Sequence, residues 1–487
     1  MKRNFVLILV LAALVVAMLS ACRRDDDDPV VEPGVTPAVT PAPTPAETPE
    51  PTPEPVQLLN REIRIICWWQ YMPSTHDDQP DPATSQNYYN DRLWRDNQMR
   101  VEEQFGVTFY NIVIPRADIG ETYTTGVLAG APVAEWTMLG SEHKVGAITR
   151  NLIMSADMFA PPEHDLFNAQ RHVRQINTFQ DRVWSFGRLD LNTQVGAIVV
   201  NMDIINAIGA PNPLELWERG EWTWDAMMDI MQLAMISTIG GDTLFGIGGD
   251  PGGLINRLIA SNDGPLICLD TMTVAMDHPN TMEALQFAYD IFSQRMWHYD
   301  TGYNPMGNWN ADFYRPWEGR AALFVAASWA FEGGPDGGNW PHFEHTPVPF
   351  PIGPSGSVYN RMSGFSQGMT ITAGVYRPDD VFMLYYEIMT WYGDRGYLIY
   401  EAAYEYTRRS WRTEDDVQMI LHVVGNPANS RFELGAAIPG FSGIYLTLAR
   451  HFFNGTMSPA TAIETYRGVQ QGRIDDFIDV TNWWDYN

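Results

Sequence analysis

From Leu58 onward the apolar positions alternate between two periods. Ile63 to Trp69 is almost continuously apolar, the pattern of a strand covered on both faces. A helix is predicted from about Tyr88, with Tyr89, Leu93, Val101 and Phe105 on one stripe and Gly106 at its end. Val107 to Ile114 reads as a second strand. Asp118 and Glu121 have capping-box spacing, with Asp in place of the usual Ser or Thr, for a helix stopping near Gly130. Glu135 to Leu139 is a third predicted strand, and Ser141 opens another helix. Repeated strand–helix units predict a mostly parallel, doubly wound sheet flanked by helices.

The next stretch, Thr193 to Met231, changes the organisation. An apolar run of strand length leads through Asn201-Met202-Asp203 into a short helix, which Gly209-Ala210-Pro211 stops. Thr223 can cap a new helix with its hydroxyl, and Asp225 adds negative charge at the positive end of the dipole. Ala226, Met227, Ile230, Met231, Ala234 and Met235 follow at helical spacing. Leu244 to Gly249 reads as a strand with Asp250 at its carboxyl end, and Ala284, Leu285, Ala288, Ile291 and Phe292 make another buried helix face. Pro378 to Tyr392 reads as a helix, and the terminal helices start near Ser458.

A chain of 487 residues is too long for one ordinary core, so two lobes are expected. The formal charge of −28 argues against nucleic acid or an anionic lipid surface as partner, since both need a positive face. The 17 Trp exceed what a core of this size needs, so some rings are expected on a surface or in a cleft, the rest packed through two cores. Lys2 and Arg3 precede an apolar run, Phe5 to Leu19, too short for a comfortable membrane span. It closes on Leu19-Ser20-Ala21-Cys22, which resembles the lipobox of bacterial lipoproteins. The resemblance implies a signal peptide over 1–21 and a lipidated Cys22. It places the protein outside the cytoplasm, on the outer face of the cytoplasmic membrane. An ordinary secretory signal with a chance cysteine is the alternative. Residues 22–57, Asp-rich and then Thr-Pro and Glu-Pro rich, cannot bury enough to order themselves. Extended at roughly 3 Å per residue, such a tether reaches about 100 Å.

The chain lacks His-Glu-x-x-His, Cys-x-x-Cys and calcium-loop spacings. His342 and His345 lie close together without a third ligand, which reads as a solvated Pro/Gly loop. Gly246 to Gly253 has no P-loop Lys. No catalytic residue, metal or cofactor is therefore assigned. The many carboxylates leave a pair placed for glycoside hydrolysis open.

Several segments carry a wider resemblance. Val200-Asn201, Gly209 to Pro213 and Thr223-Trp224-Asp225 are similar to the "YN", "GL-PP" and "TW-(D/E)-E" elements of the family 1 extracellular solute-binding proteins. These are the sugar-binding lipoproteins of bacterial ABC importers. Val101 to Val107 resembles that family's "FEK-(T/Y)-GI-V", and Leu128-Ala129-Gly130-Ala131-Pro132 its "LA-AG-(D/E)-APD", with Val133-Ala134-Glu135 where the family has Asp. Asp181 to Trp184, Leu244 to Asp250, Trp317 to Leu323 and Val348 to Pro354 resemble its "DGKVYG", "YGI", "F-x-x-G-(K/R)-AAM" and "PFPxGP". Together they span nearly all of Leu58 to Asn487.

The resemblance implies an α/β, two-lobed periplasmic-binding-protein-like fold. Each lobe would hold a mostly parallel sheet flanked by helices, with three hinge crossovers between them. Lobe 1 would comprise 58–192 plus 360–410, and lobe 2 193–359 plus 411–487. A bridge between Cys67 and Cys268 would clamp a hinge that must move, so two buried free thiols are expected. Ligands of open α/β sheets lie beyond the carboxyl ends of the strands. That places Trp68, Trp69, Tyr71, Ser141, Glu142 and Asp250 at the site, with Thr193 and Phe365 at crossovers. Of the adjacent Trp68 and Trp69 one is expected to point into a core, and Trp69 and Tyr71 are the favoured exposed pair. Trp329 is the leading aromatic, against a packed ring under the Gly333-Gly334 loop. The expected role is a non-enzymatic monomer, membrane-anchored through lipid, that captures a small solute, an oligosaccharide, and hands it to ABC permease subunits without nucleic acid. The alternatives are a surface glycoside hydrolase, or a carbohydrate- or peptide-binding lipoprotein serving a sensor or attachment.

Overall fold

The computed structural model describes residues 58–481 except 59, 69–71, 73–90, 162–163, 165, 167–177, 180–181, 187–195, 300–314, 328–340, 361, 364–367, 412, 425, 427–428, 432 and 437. All belong to the unit formed by 55–487. Cys22, the signal peptide, the tether, Trp69, Tyr71, Thr193, Trp329 and Phe365 lie outside the described residues.

β1 (Arg61–Cys67) buries Ile63, Ile65, Ile66 and Cys67, as its apolar run requires. Helix α1 (Asp91–Phe105) follows, burying Trp94, Gln98, Val101 and Phe105, and Gly106 closes it at φ +65°. β2 (Val107–Val113) pairs with β1 in parallel, Arg61 opposite Val107 through Cys67 opposite Val113. Helix α2 (Arg116–Leu128) departs from the expected capping box: it starts earlier, behind Pro115, which offers no side-chain cap. The proline ring holds φ near the helical value, so the turn is initiated by backbone geometry and Asp118 falls inside the first turn. β3 (Trp136–Leu139) pairs in parallel with β1 through Ile65 and Ile66, and α3 (Ser141–Thr149) leads to β4 (Ile153–Met154). Glu135, standing near the family's missing Asp, is buried; it accepts the Arg64 amide at 2.8 Å and pairs with the Arg61 and Arg64 guanidinium groups. A small hairpin, β5 (Thr178–Phe179) with β6 (Arg182–Val183), ends this segment, and Phe186 exchanges backbone hydrogen bonds with Met369.

The chain then enters a second sheet at β7 (Gly196–Asn201), whose six residues are all buried. The Asn201 side chain caps α4 (Met202–Ile208) through the Ile204 amide, and Gly209 closes it at φ +67°. Helix α5 (Pro213–Glu218) precedes α6 (Trp224–Met235), whose cap is Thr223, accepting the Ala226 amide at 3.3 Å. Met227, Ile230, Met231 and Ala234 form the buried face of α6, with Ala226 and Met235 at its margins. After the hairpin β8 (Thr238–Ile239) and β9 (Asp242–Thr243) come β10 (Phe245–Gly249) and α7 (Pro251–Ser261). The pair β11 (Ile267–Cys268) and β12 (Thr273–Val274) leads to α8 (Pro279–Ser293), whose predicted apolar face is fully buried. β13 (Ala321–Ala327) and β14 (His345–Val348) complete the sheet in the order β10-β13-β7-β14.

From β14 the chain returns through β15 (Met362–Ser363) to β16 (Gly368–Thr372), which inserts between β3 and β4 in the order β2-β1-β3-β16-β4. Helix α9 (Pro378–Met389) packs on α1, and α10 (Tyr397–Ser410) follows. The third passage brings Trp411, α11 (Glu414–Gln418) and a π-helical turn, Met419–Val424, into one apolar cluster with Phe324 and Phe343 of the second sheet. β17 (Ser430–Arg431) pairs in parallel with β15, and α12 (Ile444–Asn454) and α13 (Pro459–Thr481) pack on α8. α13 also reaches α3 of the first sheet.

Each sheet is mixed where a mostly parallel one was expected. β1–β2, β1–β3 and β10–β13 are parallel, but β16 runs against both β3 and β4, and β7 against both β13 and β14. The reversed strands β7 and β16 are those that arrive from the opposite lobe, so their direction is set by the crossing and not by a helical return. Two further expectations are corrected. His345 is buried, the first residue of β14, with Nδ1 at 3.1 Å from the Phe343 carbonyl; only His342 is exposed. Neither cysteine forms a disulfide among the described residues; Cys67 is buried, but Cys268 is only half-buried, because its strand lies in a short surface hairpin. No described Trp is exposed: Trp136 stacks on Phe109 with centroids 5.6 Å apart, and Trp222 donates to the Pro349 carbonyl at 2.8 Å.

Candidate functional site

The carboxyl ends of the parallel strands define one edge of each sheet. In the first, β1 ends at Cys67-Trp68 and β3 at Leu139, opposite Gly368 of β16. In the second, β10 ends at Gly249 and β13 at Ala327, opposite Gly196 of β7. The described candidates fall on these edges. Trp68 follows β1, Ser141 and Glu142 are the first residues of α3 behind the N-cap Gly140, and Asp250 follows β10.

Trp68 is half-buried against the apolar cores, with the Arg116 guanidinium 5.0 Å from its ring centroid. That cation–π contact places a charged group over one face of the indole. Asp250 acts locally as a helix cap. Its carboxylate accepts the Gly253 amide at 2.9 Å at the start of α7, with Pro251 in the first turn. The strand can end so abruptly because Gly249 sits at φ +102°, where a Cβ would strike the Val325 carbonyl oxygen.

Two features were not read from the sequence. The first is Arg257, on α7 one stripe beyond Asp250 and Gly253. Helical side chains lean toward the N-terminus, so Arg257 reaches back to the sheet edge and lays its guanidinium on Gly196, where any Cβ would overlap it. Burial pushes its pKa down, and the Asp250 charge opposes that shift. The second is an open recess of about 390 Å³ on α10, lined by Tyr400, Glu401, Tyr404 and Glu405. Tyr400 stacks on Tyr404 (centroids 6.4 Å) and on His422 of the π-helical turn (6.2 Å). The Tyr404 hydroxyl donates to the Glu414 carboxylate, which raises the Tyr404 pKa and lowers that of Glu414. Paired aromatic rings beside carboxylates suit a polyol, whose C–H face stacks while its hydroxyls donate. The signal was present as Tyr and Glu at i, i+4 in Tyr400-Glu401-x-x-Tyr404-Glu405. Among the described residues no cluster of His, Cys, Asp and Glu could hold a metal.

The geometry invites comparison with solved structures. A receptor of Streptomyces glaucescens, solved unliganded and with acarbose, superposes with a TM-score of 0.56 at 12% identity, covering 87% of this chain and 99% of that one. An ABC substrate-binding protein from Listeria monocytogenes in complex with cycloalternan gives 0.58 at 12% identity, covering 87% and 100%. An ABC transporter solute-binding protein from Thermotoga lettingae bound with α-D-tagatose gives 0.57 at 14% identity, covering 85% and 100%. The chain has the two-lobed fold of the periplasmic binding proteins. No protein-family model matches its sequence, and no curated protein does. In this two-lobed fold the edges that carry Trp68 and Asp250 belong to different lobes. Among the described residues no helix is long and apolar enough to cross a membrane.

Proposed function

We propose that this chain is a family 1 extracellular solute-binding protein, the extracytoplasmic component of an ABC importer, and that it captures an oligosaccharide between its lobes for delivery to the permease. The carrying observation is the pair of sheets joined by three crossings, a construction that lets two edges close on a solute by hinge motion. Acarbose, cycloalternan and tagatose in structures of this fold support a sugar. The aromatic and carboxylate recess on α10 supports it independently. We place lobe 1 in 58–192 and 360–410 and lobe 2 in 193–359 and 411–487. Trp68, Trp69, Tyr71, Ser141, Glu142, Thr193, Asp250, Trp329 and Phe365 are assigned to the binding cleft, and Cys22 to the lipid anchor. The bound sugar is carried unaltered, and the protein acts as a monomer.

A thermal-shift screen against oligosaccharides, polyols and peptides tests the reading, because a ligand of the folded state alone raises the melting temperature. At a hundredfold excess over Kd the stabilisation is about 2.7 kcal/mol. A panel that leaves the transition unmoved ends the proposal, and turnover of an oligosaccharide at substoichiometric protein replaces it with an enzyme.

A further inference from the structure

The residue that stands out is Arg257. The side chain is half-buried, and its Nη1 is sealed from solvent and makes no hydrogen bond among the described residues. A buried donor without a hydrogen bond is disfavoured and is ordinarily retained only where something completes it. Asp250, whose charge acts on Arg257, also accepts the Gly253 amide. Gly196 and Gly253 leave the approach free of side chains: a Cβ on the first would overlap the guanidinium, and on the second the Asp250 carboxylate. Arg257 therefore presents a planar fork of donors at the sheet edge where β10 and β13 end and β7 begins. Its helix packs against β15, in the second passage between the lobes.

We infer that Arg257 receives an oxyanion on the solute, so that the preferred ligand is a sugar carrying a carboxylate or phosphate and not a neutral oligosaccharide. The inference rests on the solute-binding role and names the class of solute. A guanidinium matches either oxyanion with two parallel donors, and in a site closed to water that match discriminates strongly against a neutral hydroxyl.

The test uses the purified full-length protein with four probes: a trigalacturonate, maltotriose, glucose 6-phosphate and inorganic phosphate. Thermal shift and calorimetric titration are run on wild type, R257M and R257K. Wild type is expected to bind trigalacturonate or glucose 6-phosphate at least tenfold more tightly than maltotriose. R257M should lose that preference by a factor of ten to a hundred, with R257K between. The unliganded R257M protein should melt at or above wild type, since an apolar chain replaces a sealed donor that makes no hydrogen bond. A purely structural arginine would give the opposite, a lower melting temperature. Preference for maltotriose, unchanged by R257M, overturns the inference and leaves the solute-binding role standing. Inorganic phosphate binding as tightly as the sugars overturns it in favour of a free-anion site. Failure of every probe, with a wider neutral panel also silent, removes the solute-binding role itself.

Discussion

Asn360 joins Val424 to the rest of the second passage: its Nδ2 donates to the Val424 carbonyl at 3.2 Å while its Oδ1 accepts the Phe350 amide at 2.9 Å. The residue is fully buried and sits at φ +51°, a backbone conformation that Asn tolerates better than most side chains. N360A strands a donor and an acceptor in the interior and should cost about 2–4 kcal/mol. N360G, which relieves the backbone, should cost less than N360A. Urea denaturation of the three proteins checks both the size and the order; a loss under about 1 kcal/mol for N360A would refute the bridging role.

Asp416 is buried beside Thr346 and Thr413, and desolvation raises its pKa above the ordinary carboxylate value, opposed by those hydroxyls. A raised folded pKa means that the native state binds the proton more tightly than the unfolded chain. The resulting stabilisation is complete below the ordinary carboxylate pKa and is lost as pH rises through the higher folded value. Wild type minus D416N should therefore fall in stability as pH rises from the ordinary carboxylate value and level off above the folded pKa. A flat difference curve from denaturation at a series of pH values would remove Asp416 as the source.

The two thiols differ in access. Cys67 is buried in β1, whereas Cys268 is half-buried, and a hydrogen bond with Thr271 lowers its pKa. Of these two, Ellman's reagent should label only Cys268 in the native protein, a signal lost in C268S, and both after unfolding. Two thiols reacting at equal rates in the native state would contradict the burial of Cys67.

The stacked pair on α10 offers a test of the recess. Y400A and Y404A should each weaken oligosaccharide binding about 3- to 10-fold, the equivalent of roughly 0.5–1.5 kcal/mol per aromatic contact. Since Tyr400 is 40% exposed, Y400A should leave the melting temperature almost unchanged. Titration calorimetry with an oligosaccharide that binds wild type reads the effect, and unchanged affinity in both variants assigns the tyrosines to the surface alone.

Local features were legible wherever local chemistry decides them. The Thr223 cap, the α8 face from Ala284 to Phe292 and the apolar β1 each follow from periodicity and hydrogen-bonding groups within a few residues. What escaped depends on distant partners. The direction of β16 is set by β3 and β4, more than two hundred residues earlier, and no pattern within Gly368–Thr372 records it. His345 reads as loop because Pro and Gly surround it, yet pairing with Asn201 draws it into the second sheet. The site is the harder case. Asp250 was visible as a strand-end carboxylate, but its capping bond and the approach of Arg257 to Gly196 are matters of three-dimensional proximity.

The parallel pairing of Met362-Ser363 with Ser430-Arg431 has a mechanical meaning. It ties the second interlobe span to the segment that follows the third, and Asn360 adds a rivet beside it. A ribbon yields readily to torsion along its length and poorly to sliding of one thread past the other. If the lobes close on a solute as proposed, such a tie would favour a swivel about a single axis, which would return the two edges to the same register on each closure.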